Sequence, residues 1–393
     1  MSLFQVKPRT FFVLLRLYGM WVLKRNRIFI DRGEMSMKKA GLERGKKGLI
    51  AIAIGATLAS ASLAAPQQSA DAAGLNAYKI INQAIEVDGV RTNLSALNTD
   101  NTTYIAIRSL NKSIGLNTDY SKAKQTVTVT GRDRELVLNL QDGSAELNDQ
   151  QIYGLPAIVQ DGTTYVPFRF LLERMGYGVS FDTDTKVIGI EAIQENDLKI
   201  TSGVIKEESK GSSLLIHYPQ ISEFADAAVQ KKVNELLKSE AEANADAARE
   251  SLSESLGEAS DEALPPASFE GTYTITYNER GKLSLYVDYY IYTGGAHGST
   301  ARVPYTFDLA TGELLELKDV TGGNAKYVSI INAKIKSQIK ARGLGLISPF
   351  ETIEPNREYF LKHGGVVIYF GQYEYTPYAA GMPEFEIPYG DFK

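Results

Sequence analysis

The sequence has no cysteine, and its 393 residues include only three histidines and one tryptophan. Without cysteine there is no disulfide framework, no thiol nucleophile, no lipid-modified cysteine anchor and no Cys-ligated zinc. His217, His297 and His363 lie 80 and 66 positions apart. Neither His-Glu-x-x-His nor His-x-x-x-His occurs, so a metal site would have to gather its ligands from distant elements. The spacing therefore predicts no metal and no cofactor. The Gly-x-Ser-x-Gly elbow of serine hydrolases is missing. Ser299, two residues from His297, is too close along the chain for the usual triad geometry.

Long apolar runs are scarce and confined to the N-terminus. Met37 opens a stretch with a basic start (Lys38, Lys39, Arg44, Lys46, Lys47), an apolar run from Leu49 to Leu63, then Ala64, Ala65 and Pro66. That order is the pattern of a secretory signal, and the Ala- and Gly-rich run is short for a hydrocarbon core of roughly 30 Å. Cleavage after the alanines, or at Ala70-Asp71-Ala72, would release an extracellular body; an uncleaved anchor is the alternative. Phe11–Leu23 is a second run, broken by Arg16. Translation starting at Met35 or Met37 explains it most simply, and would leave the processed chain without Trp21.

Net charge divides the same way. Residues 1–65 hold twelve Lys/Arg and three Asp/Glu, which leaves 30 basic against 44 acidic residues, or −14, for positions 66–393. A body so acidic repels nucleic acid and anionic lipid and favours a cationic partner.

Residues 80–193 contain an internal repeat. Thr103-Tyr104-Ile105-Ala106-Ile107-Arg108, with Leu110 and Gly115, recurs 61 residues later as Thr164-Tyr165-Val166-Pro167-Phe168-Arg169, with Leu171 and Gly176. Each copy predicts a strand, a short helix ended by glycine, and a hairpin. Asp88-Gly89, Asp142-Gly143 and Asp161-Gly162 mark further tight turns. Arg108 and Arg169 are expected to pair internally. This stretch resembles the copper-amine-oxidase N-terminal-like stalk domain of bacterial surface proteins. With no His or Cys in the segment, copper chemistry does not follow.

Beyond a polar boundary at Ile193–Asp197, Phe224, Ala228, Val233, Leu236 and Leu237 suit one helix face. The Ala/Glu/Ser-rich tract Lys238–Glu262 reads as solvated and frayed, up to Pro265-Pro266. Strands are expected at Phe269–Tyr277, Leu283–Thr293 and Arg302–Asp308, then a helix through Tyr327, Ile331, Ile335 and Ile339, then three short strands. The whole predicts an α+β protein of two domains. The first is a small antiparallel sheet with short helices built on the repeat, the second a larger antiparallel sheet packed with two helices.

The most distinctive stretch is Tyr292-Thr293-Gly294-Gly295-Ala296-His297-Gly298, where three glycines free the backbone around a histidine. With Phe370-Gly371-Gln372-Tyr373-Glu374-Tyr375-Thr376-Pro377-Tyr378-Ala379-Ala380-Gly381 and Ile387-Pro388-Tyr389, it resembles the paired DUF4163 and DUF3298 domains of RsiV-type anti-sigma factor ectodomains. The same pair occurs in the non-catalytic region of PdaC-type peptidoglycan deacetylases. The resemblance implies an extracellular module, which in the RsiV family binds lysozyme. The expected division is 1–36 as an extra N-terminal segment, 37–73 as signal and leader, 80–193 as stalk, 198–300 as DUF4163-like and 301–393 as DUF3298-like. Neither a sigma-binding region before Leu49 nor a deacetylase domain is recognisable.

Fourteen of the 22 tyrosines fall between Tyr273 and Tyr389. Tyrosine joins a flat apolar ring to a polar tip and suits sugar stacking or a protein interface. Tyr292, Gly294, Gly295, His297, Tyr373, Tyr375 and Tyr378 are the candidate binding residues, with Tyr373 and Tyr375 on one face if that stretch is a strand. The expected function is non-enzymatic binding of a cationic muramidase or of peptidoglycan and other wall glycan. A wall-polymer hydrolase or deacetylase using His297, and a purely structural surface protein, are the alternatives.

Overall fold

The computed structural model describes residues 78–99, 102–110, 114–153, 157–258 and 265–393. The signal and leader, the second apolar run, the internal start sites and Trp21 lie outside the described residues. Among the described residues no helix is long and apolar enough to cross a membrane.

The first half begins with β1 (Ile81–Val87), β2 (Val90–Thr99) and β3 (Thr102–Ala106). A separate five-stranded sheet follows, formed by β4 (Asn117–Ser121), β5 (Thr126–Gly131), β6 (Arg134–Asn139), β7 (Ala145–Leu147) and β8 (Gln150–Ile152). Then β9 (Ile158–Gln160), β10 (Thr163–Pro167), the helix α1 (Phe168–Arg174), β11 (Tyr177–Phe181) and β12 (Ile188–Ala192) return the chain to the first sheet, whose order is β11-β12-β1-β2-β3-β10-β9. Only β1 and β12 run parallel in it. Asp88-Gly89 and Asp161-Gly162 take the paired positive φ values (49° and 78°, 51° and 67°) of two-residue hairpins.

The repeat has a spatial meaning. Its two strands, β3 and β10, pair antiparallel with Ile105 opposite Val166, which are equivalent positions of the two copies. The copies are thus related by a local pseudo-twofold. Both side chains are fully buried, a contribution of about 1.5–3 kcal/mol each. Gly115 and Gly176 then end the respective helical turns at φ 77° and 82°. Arg169 pairs internally, with Glu173 at 3.1 Å and the Val179 carbonyl at 2.8 Å; Arg108 is exposed.

The second half is built from β13 (Lys199–Ser209), β14 (Ser212–Ser222), α2 (Ala227–Glu258), β15 (Ala267–Glu279), β16 (Lys282–Tyr292), β17 (Ser299–Asp308), β18 (Glu313–Leu314), the short α3 (Leu317–Val320), α4 (Tyr327–Arg342), β19 (Tyr359–Lys362), β20 (Gly365–Tyr369) and β21 (Glu384–Pro388). Strands β13 to β18 form one sheet in chain order, and β19 to β21 form another. Alternation assigns the layers. Leu283, Leu285, Val287, Tyr289 and Ile291 of β16 share a core with α2. Tyr286, from the opposite face, packs on Phe360, Val367 and Tyr369 of the small sheet. That sheet's other face, with Leu361, Val366, Ile368, Phe385 and Ile387, is covered by α4 through Ile331 and Ile335. The order is therefore helix, sheet, sheet, helix, within the α+β architecture expected from the sequence.

One expectation is corrected. The Ala-rich tract is a working helix face, not a frayed end: Ala241, Ala245, Ala248 and Leu252 continue the buried stripe of Val229, Val233 and Leu237. Small side chains let α2 lie close to the sheet, while Ala228 points outward. Asp226 caps the helix, accepting the Ala228 and Val229 amides at 2.9 and 3.0 Å. β14 and β15 pair parallel, so α2 is the crossover that such a pair requires.

The boundary at 193–197 is firmly held. Arg134 grips Glu195 through two bonds of 3.0 and 2.5 Å, and the Asn196 amide reaches Asn278 Oδ1 and the Lys282 carbonyl, both at 2.9 Å.

Candidate functional site

The glycine-rich loop follows the end of β16. Gly294 and Gly295 take φ of 108° and 90°, a region that side chains disfavour. Gly298 is needed for another reason. A Cβ there would come within 2.4 Å of the Ile291 carbonyl and 2.5 Å of the Tyr290 ring. Tyr292 is buried, and its hydroxyl donates to the Gly295 carbonyl at 3.1 Å. It braces the loop from inside and offers no surface to a ligand. His297 Nδ1 donates to the Gly298 carbonyl at 2.9 Å. That bond fixes the tautomer of the neutral ring and leaves Nε2 as an acceptor, facing the Tyr373 hydroxyl at a long 3.5 Å.

The second loop, residues 371–381, is pinned at three points. Arg357 clamps Glu374 with bonds of 2.5 and 2.7 Å and also donates to the Tyr369 carbonyl at 2.5 Å. Glu374 in turn accepts the Gly371 amide at 2.8 Å. Gln372 Oε1 accepts the Thr300 amide at 2.8 Å, tying this loop to the strand that leaves the glycine loop. The result is an aromatic platform. The His297 and Tyr378 rings stack with centroids 4.0 Å apart and planes at 21°. Tyr373 stands 5.7 Å from Tyr378 and 6.5 Å from His297, and is 44% exposed.

Tyr375 is not part of this platform. It turns inward onto Phe350 and Phe370, at 5.4 and 4.5 Å between centroids, and burial pushes its hydroxyl pKa up. The expected shared face with Tyr373 fails because residues 371–377 form turns, with Tyr373 at φ 59°, and strand alternation does not apply there.

Farther back along β16 the same face is closed by charge. Arg302, with a side chain 7% exposed, binds Asp288 through two bonds of 2.8 Å and Glu384 through one of 2.8 Å. Its guanidinium lies 3.7 Å from the Tyr286 ring centroid. His363 donates to Glu279 at 2.8 Å and faces Glu191 of the first half at 3.5 Å. A Cβ on Gly178 would meet the His363 ring at 2.7 Å, so this histidine is a joint between the halves. A cleft of about 930 Å³ runs beside it, lined by Asp88, Tyr177, Phe181, Lys362 and Glu386 among others. Lys362 sits between Glu173 and Glu384 at 3.6 and 3.4 Å. His217 lies apart, with Nδ1 3.3 Å from Ser202 Oγ. Among the described residues no group of three or more His, Asp or Glu side chains is arranged to hold a metal.

Sequence reasoning missed Gln372, Glu374 and Arg357 as the props of the platform. Gln372 and Glu374 lie inside the motif, but nothing local singles out Arg357.

Three family models match successive segments: the copper amine oxidase N-terminal domain over residues 85–190, Deacetylase PdaC over 205–300, and the protein of unknown function DUF3298 over 318–390. No curated protein matches the chain. A DUF3298-family crystal structure from Bacteroides fragilis aligns at 18% identity, covering 49% of this chain and 91% of that one, with a TM-score of 0.39. One from Pseudomonas aeruginosa PAO1 aligns at 18% identity, covering 50% and 93%, with a TM-score of 0.36. The chain thus joins a segment of copper-amine-oxidase N-terminal type to segments of PdaC and DUF3298 type, a combination suggestive of a cell-envelope protein.

Proposed function

We propose that this chain is a secreted, non-enzymatic binding protein of the cell envelope, and that it recognises a cationic muramidase through the His297–Tyr373–Tyr378 platform. The observation that carries this reading is a rigid, partly exposed set of aromatic rings held by two cross-pinned loops. Rigid aromatic anchors lose little entropy on binding and dominate interface energies. The surrounding chain carries −14 beyond residue 65, which speeds encounter with a basic protein. A wall glycan is the second reading, supported by the exposure of Tyr373, whose ring could stack on a sugar. Catalysis has less support, since the two nitrogens of His297 face a backbone carbonyl and a phenol.

Titration of the purified protein with a lysozyme-type muramidase at low and high salt tests the proposal. Saturable binding that weakens with salt is expected, with no release of acetate or reducing ends from wall polymer. Binding of soluble wall glycan with no muramidase binding would replace the first reading by the second. Absence of both would leave a structural role.

A further inference from the structure

The stalk-like half touches the same surface. Gln150 of β8 is 3% exposed. Its amide donates to the Tyr273 carbonyl at 2.8 Å, and its Oε1 accepts the Tyr273 amide at 3.2 Å. A side chain thereby imitates a strand neighbour and clamps the first half onto β15. Three residues on, Tyr153 is 61% exposed, yet its hydroxyl donates to Glu270 of β15 at 3.0 Å. Desolvation of the phenol and the charge on Glu270 push the Tyr153 pKa up to about 12.

Register then continues the row. Glu270 lies opposite Tyr290, and Tyr290 opposite Thr300. Thr300 is the residue that Gln372 holds, and the Tyr290 ring packs against Gly298 of the histidine loop. Adjacent strands are about 4.8 Å apart, so Glu270 sits two strand spacings, about 10 Å, from β17, whose Thr300 anchors the second loop of the platform. Tyr153, Glu270, Tyr290 and the platform thus make one continuous strip across both halves.

Its charge is unbalanced at one point. On the same face, Asp288 and Glu384 share Arg302. Among the described residues Glu270 has no cationic partner; its carboxylate accepts the Tyr153 hydroxyl, and Tyr290 is its cross-strand neighbour on the same face. A carboxylate flanked by two tyrosines suits a guanidinium or ammonium, which gains an ion pair from the carboxylate and cation–π attraction from the rings.

We propose that Tyr153, Glu270 and Tyr290 form a second subsite, which takes an arginine or lysine side chain of the cationic protein partner, so that the stalk-like half contributes directly to recognition. The subsite rests on the binding reading above and supplies that reading with a specific contact. Arginine is favoured over lysine, because its planar fork can pair with the free carboxylate oxygen while lying against a ring.

The test is calorimetric titration of the full chain with a lysozyme-type muramidase, using wild type, Glu270→Gln, Tyr153→Phe, Tyr153→Ala and the platform variant Tyr378→Ala, each checked for an unchanged melting curve. Glu270→Gln should lower affinity about tenfold and flatten the salt dependence, a loss typical of a truncated interface anchor. Tyr153→Ala should lose about fivefold, and Tyr153→Phe less, because the ring stays. If the Glu270 and Tyr153 variants bind like wild type while Tyr378→Ala binds weakly, the subsite is overturned and the platform stands. If wild type fails to bind, the binding reading falls and the subsite with it.

Discussion

Ser284, Tyr286, Asp288 and Tyr290 leave the same face of β16, but the two ends of that face have opposite fates. At the first end the small sheet lies on top: the Leu361 amide donates to Ser284 Oγ at 3.0 Å, Phe360 packs on Tyr286 at 5.1 Å between centroids, and Arg302 binds Asp288 and Glu384. Asp288, Glu384 and Lys362 are each paired with an opposite charge there. At the second end the covering layer is a pair of loops, the rings are partly exposed, and Glu270 has a phenol but no cation among the described residues. The same division separates the two glycine-flanked histidines. His363 is locked between Glu279 and Glu191, whereas His297 stacks on Tyr378 at the surface. A saturated cluster fastens layers together, while an unsaturated one leaves chemistry for a partner.

The widest test of that contrast removes the cation of the closed end. Arg302→Gln strands Asp288 between the sheets and leaves Glu384 with Lys362 alone, and should cost about 3–5 kcal/mol, read by urea unfolding. The acid side should agree. Burial pushes the Glu384 carboxyl up, but Lys362 and Arg302 outweigh it and hold it below 4.5. A depressed folded value means that this stability is fully present above pH 4.5 and lost as the pH falls through the folded value. Wild type should lose stability below that pH more steeply than Glu384→Gln. Equal urea midpoints for Arg302→Gln and wild type would show that the closed end is no fastening.

The open end is breakable too, at smaller cost. Gly298→Ala forces a methyl group against the Ile291 carbonyl and the Tyr290 ring, and overpacking of this kind costs about 1–3 kcal/mol. It should also misplace His297 and Tyr290 together, so muramidase affinity should fall by more than either single ring substitution causes. Unchanged affinity with lowered stability would separate the loop from recognition.

The sequence made much of this legible, for identifiable reasons. The copies around Ile105 and Val166 were visible because strand, helix stop and hairpin each leave local marks. Their mutual pairing was not, because antiparallel register between segments 61 residues apart has no local signature. The stripe of α2 looks short in the sequence because Ala241, Ala245 and Ala248 resemble helix filler until a sheet lies against them. The platform was half legible. His297, Tyr373 and Tyr378 stood out within motifs, while Tyr375 was misplaced by assuming strand alternation through a turn. Glu270 and Tyr153 carried no mark at all, since their meaning comes from two halves meeting.

The smallest stability effect should come from the residue that looked most like a catalyst. His297 is exposed and makes one backbone bond, so His297→Ala should shift unfolding by less than about 1 kcal/mol. Affinity should respond more. Loss of the ring stacked on Tyr378 removes one wall of the platform and frees the Tyr373 hydroxyl, an aromatic contribution of about 0.5–1.5 kcal/mol, which corresponds to roughly a two- to twelvefold weaker complex. Muramidase titration and urea unfolding on the same preparation give both numbers. A stability loss as large as that of Arg302→Gln would erase the contrast between the two ends and make His297 a structural brace. Acetate release by wild type that disappears in His297→Ala would replace the binding reading with a hydrolytic one.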